Sequence, residues 1–338
     1  MKIAIHHREN SFSSRWISFC ELNKINFILV NCYDSNILNL LKNEKVTHLM
    51  YSMTHESSTD IMLFPYVLNA ADKMGIKTFP NFNTRWHFDD KIAQKYLFES
   101  INAPLVKSYI FYEKEEAINF INNSKLPLVT KLKRGAGSTN VKLIKTVTEG
   151  VDYVSKLFST GIISTSKPLE HFEQKLRIAK QIKNPILLFK KVIGFLKKNR
   201  RERSMANVEK GYAYFQEFMP NNDFDTRIIA VGDIAFGIRR FNKVGDFKAS
   251  GSGKIDYSVN KIDVNMVSIA FKTTEAIGAQ CLAFDFVYDS KNAPKIIEIC
   301  FLFSMLAYDK CEGYWNRDLI FKEGKFNPQE LMIENFIS

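Results

Sequence analysis

The chain reads as an α/β lobe followed by an α+β body. Three observations predict this. The first eighty residues alternate short apolar runs with helically spaced stretches. The centre and end carry strand runs joined by tight turns, several of them antiparallel in pattern. A long helical stretch leads into a final hairpin that carries two acids.

In order, "KIAIHH", "INFILVNCY", "VTHLMYSM" and "IKTFPNF" read as strands rich in Ile, Val, Phe and Tyr. Between them "ILNLLKNEK" and "IMLFPYVLNAADKMG" have helical spacing, the second closed by Gly75. Such alternation predicts a small parallel sheet with crossover helices. Ligands of such sheets bind at the carboxyl ends of strands, so His6 through Trp16 is expected to form a substrate loop. From Asn81 the pattern changes. "DDKIAQKYLFESIN" predicts a helix capped by Asp89 or Asp90. "APLVKSYIFY", "LPLVTKLKRGAGSTNVKLIKT" and "YAYFQEFMPNNDFDTRIIAVGDIAFGIRRF" supply strands, and "NMVSIAFKTTEAIGAQ" a helix before the acid-bearing hairpin. No internal repeat is visible.

The 338 residues are 46% hydrophobic and 25% charged, as in a globular chain with room for sizeable cores. No stretch approaches the ~20 apolar residues that span a bilayer, and "MKIAI" is too short for a secretory apolar region. Five cysteines, an odd number with no C-x-x-C pair, fit reduced thiols and an expected cytoplasmic setting. The net charge is +11, yet Lys175–Arg203 holds eleven Lys or Arg and one acid, Glu202. Charge this local is not the broad basic face of a nucleic-acid binder.

The chemistry concentrates in a few places. In "CLAFDFVYDSKNAPKIIEICFLFS", Asp285 and Glu298 interrupt two apolar strands. A buried carboxylate is costly unless paired or bound to a cation, so two on one hairpin point to a divalent metal. "KLKRGAGST" places Lys131 on a strand before a turn with Gly135 and Gly137, where backbone N–H groups can approach an anion. It is not a Walker A loop, and standing alone such a turn is more often a solvated basic hairpin. Lys91 starts the "DDK" helix. Gln216, Glu217 and Phe218 end a strand where a base could stack and Glu217 could accept from ribose hydroxyls. Arg227, Arg239 and Arg240 lie on two adjoining strands; alternation sends Arg239 and Arg240 to opposite faces, so one of them can join Arg227.

Taken in order, lysine at a helix start, lysine before a Gly-rich hairpin, Q-E-F, D-x-R and "FDF…EIC" closely resemble the ATP-grasp superfamily over roughly residues 79–304. The resemblance implies a pre-ATP-grasp α/β domain over 1–80 and a two-subdomain ATP-grasp fold over 81–338. Its central small subdomain would cover about 105–215, and its C-terminal metal-binding subdomain about 216–338. It also implies roles. Lys91 and Lys131 resemble the phosphate-contacting lysines, and Gly135, Ala136, Gly137 and Ser138 the loop over the triphosphate. Gln216, Glu217 and Phe218 resemble the adenine and ribose segment. Arg227 and Arg240 resemble arginines near the γ-phosphate and acyl intermediate, and Asp285 and Glu298 the Mg²⁺ ligands. ATP and Mg²⁺ are thus the implied cofactors. One departure stands out: the family commonly reads E-x-N at the second metal strand, whereas Glu298 is followed by Cys300, a poor donor for hard magnesium.

Within 175–203, Ile182, Ile186, Phe189, Ile193 and Leu196 recur at helical spacing, broken by Pro185 and Gly194. A solvated insert is one reading; an interfacial segment at an anionic membrane surface, the inner face included, is the other. The loop "FKASGSGKI" and the tail "GYW…EG.F.P", with Tyr314 and Trp315, resemble ATP-grasp proteins of bacterial surface-polysaccharide synthesis. The expected activity is an ATP-dependent carboxylate–amine ligase working through an acyl phosphate. Its partners would be a carboxylated sugar or glycan precursor and an amino acid or amino sugar. The oligomeric state is open, a homo-oligomer included. Three alternatives stand: a ligase for a small peptide or protein C-terminus, a sugar or polyol kinase, and a non-catalytic ATP-binding module.

Overall fold

The protein is represented by a computed structural model that describes residues 1–55, 57–135, 140–164, 208–243, 245–249 and 253–338. These divide into two compact units. One comprises Met1–His55, Thr59–Val106 and Met219–Ser338; the other comprises Lys107–Phe218 together with residues 57–58. The expected loop residues Ala136, Gly137 and Ser138, and the basic segment 175–203, lie outside the described residues.

The first unit opens with the expected parallel sheet. Strands β1 (Ile3–His6), β2 (Phe27–Val30), β3 (His48–Tyr51) and β4 (Lys77–Phe79) stand in the order β2-β1-β3-β4, all parallel. Helices α1 (Phe12–Leu22), α2 (Ile37–Asn43) and α3 (Ser58–Lys73) make the crossovers, and Gly75 follows α3 at φ +77°. Helix α1 corrects the expected substrate loop over His6–Trp16, which shrinks to the few residues between β1 and Ser11. Phe12, Trp16, Phe19 and Cys20 are all buried, so burying one apolar face favours a helix there. Short helix α4 (Phe82–Arg85) and helix α5 (Lys91–Ser100) follow.

The second unit is an antiparallel sheet of β5 (Ser108–Phe111), β6 (Leu128–Lys131), β7 (Val141–Ile144) and a later strand, with helices α6 (Lys114–Asn123) and α7 (Val147–Leu157). The short pair β8 (Ile162–Ile163) and β9 (Val208–Glu209) precedes that later strand, β10 (Ala213–Glu217). The order β5-β10-β6-β7 makes β10 central. Its core is built from Ala117, Ile121, Leu128, Val154, Leu157 and Phe215.

The chain then returns to the first unit. Strands β11 (Phe224–Val231), β12 (Ile234–Phe241), β13 (Ile255–Asp256), β14 (Cys281–Tyr288), β15 (Pro294–Cys300), β16 (Gly313–Asn316) and β17 (Phe321–Glu323) form one antiparallel sheet. Its order is β15-β14-β11-β12-β16-β17, with β13 beside β12. Helix α8 (Val264–Ile277) packs on this sheet, and α9 (Met305–Tyr308) and α10 (Pro328–Ile337) complete the unit. One core runs from Trp16 and Phe79 through Phe336 to Phe236 and Phe284. Two aromatics of the tail belong to this packing: Trp315 is 3% exposed beside Phe321, and Tyr314 lies edge-on to Phe326.

Candidate active site

In the first unit, sheet register gathers the charged residues. Asp285 on β14 pairs with Glu298 on β15 and, on its other side, with Arg227 on β11. Asp225, two residues before Arg227, pairs with Arg240 on β12. Because side chains alternate along a strand, residues 225 and 227 share a face. A register shift just after Asp285 bends the hairpin where its acid is presented.

The distances are those of a tight ion network. Arg227 Nε lies 2.8 Å and Arg240 Nη2 2.9 Å from Asp285 Oδ1. Arg240 also grips Asp225 with both sides of its fork, Nε to Oδ1 at 2.7 Å and Nη2 to Oδ2 at 2.6 Å. Burial disfavours a charged Arg240, but Asp285 and Asp225 outweigh it and hold the guanidinium firmly protonated. Arg239 faces the other way, paired with Asp256 and stacked 4.6 Å over the Phe224 ring. Only Arg240 joins Arg227, as strand alternation requires.

Lys91 is not an exposed helix lysine. Its side chain is 4% exposed, with Nζ 2.8 Å from Asp89 Oδ1 and 3.2 Å from Glu298 Oε1. Asp90 caps α5, its Oδ1 accepting from the N–H groups of Ile92 and Ala93 at 3.1 and 2.9 Å. Asp89 takes φ +50° instead and turns its carboxylate to the lysine. Gln94, one turn on, clamps the helix to β15: its Nε2 donates to the Ile299 carbonyl at 2.9 Å and its Oε1 accepts from the Ile299 N–H at 3.2 Å. That clamp sits one residue from Glu298.

Four residues of this cluster were not read as site residues from the sequence: Asp89, taken as a possible helix cap, Asp225, His55 and Tyr308. Asp225 was visible as the first residue of D-x-R, same-faced with Arg227. His55 lies just beyond the carboxyl end of β3, stacked on Phe88 at 4.7 Å, with Nε2 3.2 Å from Cys300 Sγ. Burial lowers its pKa. Burial pushes the Cys300 thiol up to about 12, so it is neutral, and its sulfur also accepts from the Leu302 N–H. Tyr308 is buried beside both arginines, its pKa raised chiefly by burial.

Magnesium takes hard oxygen donors, keeps several waters and needs only one or two protein carboxylates when phosphates supply the rest. Asp285 and Glu298 fit that donor set; the neutral thiol of Cys300, turned to His55, does not add to it. Among the described residues, no group of three or more His, Cys, Asp or Glu side chains is arranged to hold a metal by itself. Among them, too, four carboxylates (Asp89, Asp225, Asp285, Glu298) face three cations (Lys91, Arg227, Arg240), a net charge of −1.

The second unit carries the other expected residues. Lys131 ends β6, 5% exposed, and is followed by Gly135 at φ +136°, a conformation open to glycine almost alone. Gln216 lies on the central strand β10, not on an edge, and is 2% exposed. Its Nε2 donates to the Ser108 hydroxyl at 3.0 Å. Glu217 is half-buried and accepts from the Tyr109 hydroxyl at 3.1 Å. Phe218, half-buried, follows directly.

No protein-family model matches this chain, and no curated protein does. Solved structures match over its whole length. An ATP-grasp RimK-domain protein from Sphaerobacter thermophilus DSM 20745 superposes with TM-score 0.54 at 12% identity, covering 100% of this chain and 99% of that one. D-Alanine–D-alanine ligase from Bacillus anthracis gives TM-score 0.55 at 10% identity over 100% and 97%. The biotin carboxylase domain of the Hydrogenobacter thermophilus 2-oxoglutarate carboxylase, in complex with MgADP, ADP and bicarbonate, gives 0.58 at 12% over 98% and 68%. The fold is the ATP-grasp fold, with one parallel and several antiparallel sheets.

Proposed function

We propose that the chain is an ATP-dependent carboxylate–amine ligase. The observation that carries this reading is the cross-strand pair Asp285–Glu298, ringed by Lys91, Arg227 and Arg240 on a fold of the ATP-grasp type. In this reading Lys131 and the Gly135 turn, with Ala136, Gly137 and Ser138, contact the phosphates, and Gln216, Glu217 and Phe218 form the base and ribose segment. Asp285 and Glu298 hold magnesium, which when bound neutralises phosphate charge and orients the γ-phosphoryl group.

A substrate carboxylate oxygen attacks the γ-phosphorus, the bond to the β-phosphate oxygen breaks, and ADP leaves. The amine then attacks the acyl carbon; inorganic phosphate departs with the C–O electron pair and the nitrogen sheds a proton. Arg227 and Arg240 face the anionic acyl phosphate with fixed donors, which lowers the cost of its developing charge.

For the substrates we propose a carboxylated sugar or glycan precursor of surface polysaccharide and an amino acid or amino sugar. This finer reading rests on the "FKASGSGKI" and "GYW…EG.F.P" segments. Location at an anionic membrane face rests on residues 175–203 alone. The test is a panel of uronic acids, peptides and amino acids, with ADP and phosphate release measured and hydroxylamine added as a trap. ADP release that needs a carboxylate and yields a hydroxamate is the expected result. Turnover with a polyol and no hydroxamate would make the protein a kinase, and ATP binding without turnover a non-catalytic module.

A further inference from the structure

The Glu298 carboxylate already has a cation of its own. Lys91 Nζ stands 3.2 Å from Glu298 Oε1 and 2.8 Å from Asp89 Oδ1, and the lysine side chain is 4% exposed. Three features hold it there: the Asp90 cap on its helix, the two-point clamp of Gln94 on Ile299, and the turn at Asp89. Burial by itself opposes the ammonium charge, but Glu298 and Asp89 outweigh it and keep the lysine protonated. Asp285, the other acid of the pair, is met in the same way by Arg227 and Arg240.

We propose that Lys91 is the resident counter-ion of the cation site, so that the site refuses a free divalent ion and accepts one only as a metal–nucleotide complex. This rests on the ligase reading above. A bare ion arriving at Glu298 must displace the ammonium, which then stays buried with one partner fewer, a costly state. A metal–nucleotide complex removes that penalty. Its phosphates take over as partners of the lysine while the ion takes the carboxylate, so no buried charge loses its complement. The two roles of Lys91, on the acid and on the phosphates, are then one ammonium before and after loading. Without the lysine, the cluster's net charge among the described residues goes from −1 to −2, and the free protein should attract a divalent ion.

The experiment is a titration of Mn²⁺, followed by its paramagnetic resonance, into wild type, Lys91→Met and Lys91→Gln, with and without a non-hydrolysable ATP analogue. Near-UV circular dichroism confirms that each variant is folded. Without nucleotide, both variants are expected to bind Mn²⁺ at least about tenfold more tightly than wild type. Adding Glu298→Gln to Lys91→Met should remove that gain. With the analogue, wild-type affinity for Mn²⁺ is expected to rise by a similar factor. Equal Mn²⁺ binding by wild type and a folded variant without nucleotide overturns the inference, as does a gain that survives Glu298→Gln. If the variants gain Mn²⁺ but wild type never binds the analogue, the counter-ion role stands and the nucleotide reading falls.

Discussion

Asp225 illustrates how a residue that need touch no ligand can govern a site. It holds Arg240 by a two-point pair, and Arg240 in turn meets Asp285 at 2.9 Å. Replacing Asp225 with Ala leaves a buried guanidinium short of a partner and is expected to cost about 3–5 kcal/mol in urea unfolding. A loss below about 1 kcal/mol would mean that water takes the aspartate's place. The residues assigned to nucleotide and metal should behave differently. Lys131→Ala and Glu298→Gln are expected to lose at least about 100-fold in ADP release while keeping wild-type circular dichroism; full activity in either one sinks its assignment. Asp285 and Glu298 were legible because a charge in an apolar strand is anomalous by itself. Lys91, Arg227 and Arg240 were legible as candidates too, but not which acid each would meet, since that is set only when helix and strands dock.

At the scale of elements, the site depends on how a few segments end. Helix α5 begins at Asp90, whose carboxylate satisfies two N–H groups that would otherwise face the core. Asp90→Ala is expected to cost about 1 kcal/mol and to loosen Lys91, read as a lower denaturation midpoint. Helix α8 ends on Gly278 at φ +69°, and a Cβ there would stand 2.8 Å from Asn83 Nδ2. Gly278→Ala is therefore expected to cost about 1–2 kcal/mol, whereas Gly75→Ala, with nothing near its Cβ, should show only the backbone penalty. The strands, the Gly75 stop and the cap before α5 were legible from periodicity and end signals. Helix α1 was missed although Phe12, Trp16, Phe19 and Cys20 recur at helical spacing, because its polar, serine-rich opening resembles a loop. The clamp of Gln94 on Ile299 left no trace, since a lone glutamine on a helix has no pattern.

At the scale of the molecule, buried histidines among the described residues contribute to the response to acid. His87 is 1% exposed, its Nε2 donates to the Asn83 carbonyl at 3.1 Å, and burial lowers its pKa from 6.5 to about 4. His6, His48 and His55 are also lowered, each chiefly by burial. The unfolded chain takes up these protons first, so their contribution is complete above about pH 6.5 and is lost as pH falls toward 4. For His87 alone the loss reaches about 3 kcal/mol. Urea midpoints should fall steadily from pH 7 to 5, and His87→Gln should flatten part of that slope; a flat wild-type profile would refute it. The sequence alone determined the alternation of elements, the mix of parallel and antiparallel strands and the acid pair, because periodicity and misplaced charge are local properties of a chain. Only the tertiary structure decided which cation meets which acid. Lys91 with Glu298 and His55 with Cys300 are separated by hundreds of residues, and only sheet register and helix docking bring them within bonding distance.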